Sequence, residues 1–134
     1  METDADGADT YAPMHNLGLL DLEANGLSWV GGSSLAKMLG RGGICDKLLH
    51  LNLGCNGIGV EGAVSIAEAL RQFTCPVLQS LDLHGNGIGD DGCVALGTTL
   101  AAGALPNLDS LDLSANRIED RGCEALGRAL FGVY

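Results

Sequence analysis

The stretch LQSLDLHGNGI at residues 78–88 is one of four copies of a single pattern. The other copies read LGLLDLEANGL at 17–27, LLHLNLGCNGI at 48–58 and LDSLDLSANRI at 108–118. All four fit L-x-x-L-x-L-x-x-N-x-[IL]. Spacings of 31, 30 and 30 residues separate the asparagines of the four copies, which are Asn25, Asn56, Asn86 and Asn116. A period of this length indicates a stack of similar structural units.

The second half of each copy carries a helical pattern. Counted from the asparagine, glycine falls at plus six, small residues at plus seven and plus eleven, and Leu or Ile at plus ten and plus fourteen. These offsets lie on one face of an α-helix. Each unit is therefore predicted to contain a short strand, a turn, a helix and a return loop. The strands are predicted near residues 18–22, 49–53, 79–83 and 109–113.

This pattern resembles the leucine-rich repeat family, and within it the ribonuclease inhibitor-like class. The strand motif and the continuation N-x-I-G-x-x-G-x-x-x-[IL]-[AG]-x-x-L carry the resemblance, which covers residues 17–134. It implies an α/β leucine-rich repeat solenoid, a short curved horseshoe with a parallel sheet on the concave side and helices on the convex side. Residues 1–16 form an acidic N-terminal segment, interpreted as a solvated tail or a covering arm. The four repeats are assigned to 17–47, 48–77, 78–107 and 108–134.

Composition and charge exclude several classes of protein. The 134 residues include 17 Asp and Glu against 7 Lys and Arg, which gives a net charge of −10. An acidic chain repels phosphate backbones, so no nucleic-acid partner is predicted. No apolar run approaches the length that crosses a bilayer, so no membrane insertion is predicted. The hydrophobic fraction of 46% is too high for a disordered chain.

The five cysteines predict a reducing environment. They form no C-x-x-C pair and follow no secretory signal, so buried, reduced thiols are expected. Cys93 and Cys123 share a column, but the axes of neighbouring helices lie about 8–10 Å apart, which argues against a disulfide between them. The predicted location is intracellular, with the cytoplasm favoured and the cilium or an organelle interior left open. The other cysteines are Cys45, Cys55 and Cys75.

The asparagine column is predicted to be structural. At this point the chain leaves the strand, and its backbone groups lose their partners in the sheet. A buried Asn amide both donates and accepts hydrogen bonds, so it can satisfy groups in its own loop and in the adjacent one. The four asparagines are therefore not candidates for catalysis.

Strand alternation places polar side chains on the concave face. No Lys or Arg occurs there, so the face is interpreted either as a solvated surface or as a docking site for a protein with a basic surface. A metal site that uses the two histidines fits no known ligand spacing and would form a flat patch, so neither a metal nor a cofactor is predicted. The candidate partner-binding residues of this face are Asp21, Glu23, His50, Asn52, Asp82, His84 and Asp112.

The C-terminal end forms a second candidate surface. The last repeat has the same apolar columns as the interior ones, whereas terminal repeats of a solenoid need polar caps. Either the chain is a piece of a longer protein or another subunit covers this end, and the initial Met favours a subunit. The candidate residues of this open end are Leu111, Leu113, Phe131 and Tyr134.

The sequence contains no nucleophile elbow, P-loop, zinc-protease motif or nucleotide fingerprint. The predicted function is a non-enzymatic protein–protein interaction module, a small scaffold or structural subunit of a multi-subunit complex. The resemblance also allows two alternatives. One is a regulatory protein similar to Ran GTPase-activating proteins or NOD-like receptor repeats, and the other is a ribonuclease inhibitor-like blocker.

Overall fold

The computed structural model describes residues 16–41, 44–73 and 75–132. It contains four strands that pair in parallel in the order β1-β2-β3-β4, so each repeat adds one strand beside the last. The predicted leucine-rich repeat solenoid is confirmed, and each strand lies within its predicted range. The elements are β1 (Leu19–Asp21), α1 (Ser28–Leu39), α2 (Ile44–Lys47), β2 (His50–Asn52), α3 (Gly59–Phe73), β3 (Ser80–Asp82), α4 (Gly89–Ala101), β4 (Ser110–Asp112) and α5 (Asp120–Phe131).

The core lies between the sheet and the helices. The register pairs Leu51 with Leu81 and Leu81 with Leu111, so the strand leucines form a continuous column. In the two interior repeats this column is buried, since Leu51 and Leu81 are each only 1% exposed to solvent. Burial of apolar side chains from both layers is therefore what holds the repeats together.

Small residues let adjacent helices approach closely. A Cβ added at Gly32 would lie 3.3 Å from the Cα of Gly62 and 3.1 Å from a methyl carbon of Ile58. A larger side chain at this position would push α1 away from α3. The glycines of the helical half therefore serve packing, as the repeat pattern predicts.

The asparagines form a hydrogen-bonded ladder. Asn86 donates from Nδ2 to the carbonyl oxygens of Leu53 and Leu83, and its Oδ1 accepts from the N–H groups of Asn56 and Ile58. Asn56 and Asn116 make equivalent bonds and are also buried. The structural role assigned to these three asparagines is borne out by their geometry.

Asn25 differs from the other members of the ladder. Its backbone N–H donates to Oδ1 of Asn56, but its side chain is exposed and its Nδ2 donates to Glu23 O. The expectation of a buried amide at this position was wrong. The reason is that no earlier repeat in the described part of the chain lies against it.

The cysteines also differ from expectation. Cys45 and Cys75 form a disulfide, with their Cα atoms 4.5 Å apart, and Cys55 and Cys123 are exposed rather than buried. Each bridged cysteine lies three residues before the leucine that begins the next strand motif, Leu48 or Leu78, and there the Cα atoms are about as close as those of neighbouring strands. The argument from helix spacing holds only for Cys93 and Cys123, which are both free. The disulfide contradicts the expectation that all five cysteines are reduced thiols.

The two ends of the repeat stack are less well covered than its middle. Leu20 and Leu111 are half-buried, unlike the strand leucines between them. At the C-terminal end Leu130 is 58% and Phe131 77% exposed. Tyr134 and the proposed N-terminal tail or arm up to residue 15 lie outside the described residues.

Candidate functional site

The outward-facing side chains of the four strands define the concave face. One column holds three aspartates and Asn52, and Oδ1 of each residue accepts a hydrogen bond from the backbone N–H two positions later. Asn52 makes the same hydrogen bond as the aspartates although its side chain is neutral. The turn therefore requires an acceptor oxygen at this position but not a negative charge. The charge is therefore available for binding. The aspartates are Asp21, Asp82 and Asp112.

A shallow groove crosses the first three strands of this face. Its volume is about 210 Å³, and its lining includes Leu19, His50 and Asp82. Leu19 is 60% exposed, so the groove offers an apolar side chain beside carboxylates. The groove therefore combines apolar and negatively charged groups on one surface.

A second group of side chains meets where β2 and β3 end. The Sγ atom of Cys55 lies 3.2 Å from Nε2 of His84, and Nδ1 of His84 lies 2.7 Å from Oδ1 of Asp82. Oε1 of Glu23 lies 3.4 Å from the same Nε2 atom. Three successive repeats thus contribute a carboxylate, a thiol and an imidazole to one cluster, which we call the thiol–imidazole cluster (Glu23, Cys55 and His84).

Gly54 makes this arrangement possible. A Cβ at this position would collide with the His84 ring, so the ring lies directly over the backbone of the preceding repeat. From there Nε2 reaches Cys55, whose backbone has the unusual φ of 54°. Ala24 and Ala115 adopt the same conformation at the equivalent position, so the turn itself does not require a thiol.

The electrostatics of the cluster follow from its carboxylates. The hydrogen bond that the His84 ring donates to Asp82 raises the pKa of His84, and the charges of Asp82, Glu23 and Asp112 act in the same direction. Hydrogen bonds from the hydroxyl and backbone N–H of Ser114 lower the pKa of Asp112. The concave face therefore favours positive charge at this point.

We expect the NMR titration of metal-free protein to give a His84 pKa above its ordinary value of about 6.5. Asp82→Asn keeps the acceptor oxygen but removes the charge, so it should lower this pKa. Because the folded state binds the proton more tightly than the unfolded one, the stabilisation is present at low pH and is lost as the pH rises through the folded pKa. Glu68→Gln on α3 is the control, and an unchanged pKa in Asp82→Asn would contradict the assignment.

The backbone around Cys55 does not favour nucleophilic catalysis. The Cys55 N–H donates to the carbonyl oxygen of His84, and the next N–H, that of Asn56, donates to Asn86 Oδ1. The N–H of Gly54 is bound by Asn52. The amides beside the thiol are thus already used in the fold, whereas a thiol nucleophile needs free donors for the oxyanion.

The structure brings together most of the predicted concave residues. Glu23, Asn52 and His84 converge, because Asn52 Nδ2 donates to Glu23 Oε2 at 3.1 Å while Oε1 of the same carboxylate faces His84. His50 lines the groove together with Asn52 and Asp82. Sequence reasoning missed Cys55, although a cysteine in a column otherwise made of Ala and Gly, one repeat before a histidine, is a signal that could have found it.

Comparison with protein-family models gives three matches to the Leucine Rich repeat model, at residues 45–67, 74–97 and 104–127. Together they span more than half of the chain. The chain belongs to the leucine-rich repeat family. Leucine-rich repeats are typical protein–protein interaction modules. A search of curated proteins finds no significant match.

The last leucine-rich repeat ends in an open cleft between β4 and α5. Its volume is about 540 Å³, and Leu111, Leu113 and Leu130 are among its lining residues. The corresponding leucines of the preceding repeat, Leu81 and Leu83, are buried. In the described part of the chain, no helix is both long enough and apolar enough to cross a membrane.

Proposed function

We propose that this leucine-rich repeat protein is a non-enzymatic interaction module, a small scaffold or structural subunit whose concave face binds a protein with a basic surface. One observation carries the proposal, the column of carboxylates held on the concave strands by Asx-type hydrogen bonds. Fixed carboxylates attract a basic partner without a further ordering cost. The cleft beside β4 is the second proposed surface, through Leu111, Leu113 and Phe131.

The test neutralises the column without disturbing the turns. Asn52 shows that asparagine keeps the structural hydrogen bond, so the triple variant Asp21→Asn, Asp82→Asn and Asp112→Asn should fold normally. The matched control, Asp46→Asn, Glu61→Gln and Glu68→Gln, removes three exposed charges from helices. Proteins retained from the source extract by immobilised wild type and by both variants are compared by quantitative mass spectrometry.

We expect a specific set of proteins to be retained by wild type and by the control, and to fall at least about tenfold with the concave variant. Their retention should also weaken as salt rises, since the charges are exposed to solvent. Equal retention by all three proteins would contradict the proposal. The identity of the retained proteins separates a scaffold from the alternatives similar to Ran GTPase-activating proteins, NOD-like receptor repeats or ribonuclease inhibitor.

A further inference from the structure

The thiol–imidazole cluster contains donors of the kind that bind zinc. A thiolate, an imidazole nitrogen and a carboxylate oxygen are all common zinc ligands. The ligand atoms of Glu23, Cys55 and His84 lie within 4.8 Å of one another. They come from three successive repeats, and the parallel stacking of the turns brings them together. Because they are about 30 residues apart in the chain, they form no short sequence motif.

We propose that Glu23 Oε1, Cys55 Sγ and His84 Nε2 form a binding site for a zinc ion. This inference goes beyond the proposed partner binding and does not depend on it. It also runs against the expectation from sequence that no metal is bound. That expectation considered His50, Asn52 and Asp82 together with His84, and it did not include Cys55.

The distances agree with a tetrahedral ion. Ligands at zinc bond lengths lie about 3.3–3.6 Å from one another in a tetrahedron. The sulfur–nitrogen separation is 3.2 Å and the nitrogen–oxygen separation is 3.4 Å. The sulfur atom of Cys55 and the carboxylate oxygen of Glu23 lie within 4.8 Å of each other. A rotation of the Glu23 side chain, which is 45% exposed, brings this oxygen to the distance that zinc requires. The fourth position is left for a water molecule.

The surrounding hydrogen bonds orient two of the ligands. Oδ1 of Asp82 is 2.7 Å from Nδ1 of His84, which places the proton on Nδ1 and leaves the Nε2 lone pair for the metal. Asn52 Nδ2 donates to Glu23 Oε2, which leaves Oε1 for coordination. This pairing of a ligand histidine with a carboxylate is usual in zinc sites. The carboxylates of Asp82 and Asp112 lie within 4.8 Å of the His84 ring and also attract a cation.

The repeat supplies variants that preserve the fold. Alanine occupies the equivalent of position 55 in the first and last repeats, at the same positive φ, so Cys55→Ala is compatible with the turn. Ser114 occupies the equivalent of position 84, which makes His84→Ser the matching change. Two control variants leave the cluster intact. They are Cys123→Ala, which removes another exposed thiol, and His50→Ser, which copies Ser80 and Ser110.

The experiment titrates the full-length, chelator-treated protein with Co²⁺ and then with Zn²⁺. We expect one equivalent of Co²⁺ to produce a thiolate-to-cobalt charge-transfer band that Zn²⁺ abolishes, together with proton release on zinc binding. The band should be lost in Cys55→Ala and His84→Ser and kept in both controls. Asp82→Asn should weaken zinc binding about 10–100-fold, since it removes the charged partner of the ligand histidine.

Two results would overturn the site. One is the absence of the charge-transfer band in wild type, and the other is a band of equal strength in Cys55→Ala. Circular dichroism of each variant shows whether the fold is retained, so a loss of binding can be assigned to the removed ligand. A wild-type protein that binds no zinc but retains its partner proteins would overturn this inference alone and leave the proposed function standing.

Discussion

Replacing Asn86 by alanine is expected to lower the free energy of unfolding by about 3–5 kcal/mol, because two buried backbone N–H groups lose their acceptor at once. The Oδ1 atom of Asn86 accepts from the N–H groups of Asn56 and Ile58. Its Nδ2 donates to three carbonyl groups, of which those of Leu53 and Leu83 also accept from Asn56 and Asn116. Alanine offers neither donor nor acceptor, and the site is buried, since Asn86 is 2% exposed. Urea unfolding followed by circular dichroism measures the loss.

Asn25→Ala is the matched control for this prediction. It removes the same side chain from the same position of the first repeat, where the amide is exposed and donates to a carbonyl group of its own loop. The expected loss is below about 1 kcal/mol, which is the net value of an ordinary hydrogen bond. Equal losses in the two variants would show that the ladder does not weaken at Asn25, contrary to the structure.

This contrast shows how far the repeat pattern predicts the fold. The period assigns Asn25 and Asn86 the same position in the repeat, and the backbone N–H of each indeed donates to the asparagine side chain of the next repeat. Burial, however, depends on what lies on either side of a repeat, which a motif within one repeat does not encode. Leu81 and Leu111 illustrate the same limit, because one is closed in by the next repeat and the other lines an open cleft.

The candidate site shows a second limit of sequence reasoning. Strand alternation correctly predicts that Asp82 and His84 lie on the concave side of the sheet. The meeting of His84 with Cys55 depends on the absence of a side chain at Gly54 and on the direction taken by the imidazole. Neither is visible in a periodicity of 30 residues. The disulfide between Cys45 and Cys75 was missed for a related reason. The distance between equivalent residues of successive repeats differs along the repeat, and at these two cysteines the Cα atoms are only 4.5 Å apart.

Equivalent leucines of the third and fourth repeats are expected to differ in how much they contribute to the free energy of unfolding. Leu81→Ala is expected to cost about 3–4 kcal/mol, because Leu81 is 1% exposed and its removal leaves a cavity between sheet and helices. Leu111→Ala deletes the same side chain one repeat later, where the residue is half-buried and borders the open cleft. There the expected cost is about 1–2 kcal/mol, since less apolar surface is exposed by the change and the cleft already admits water.

The comparison is made by urea unfolding at two protein concentrations at least tenfold apart. For a chain whose open end stays uncovered, the smaller cost of Leu111→Ala should be the same at both concentrations. If a second copy covers β4, wild-type stability rises with concentration, and Leu111→Ala then approaches the cost of Leu81→Ala because it also weakens the association. A large, concentration-independent cost at Leu111 would contradict the open end. The pair of leucines therefore distinguishes an uncovered end from one that a second copy covers.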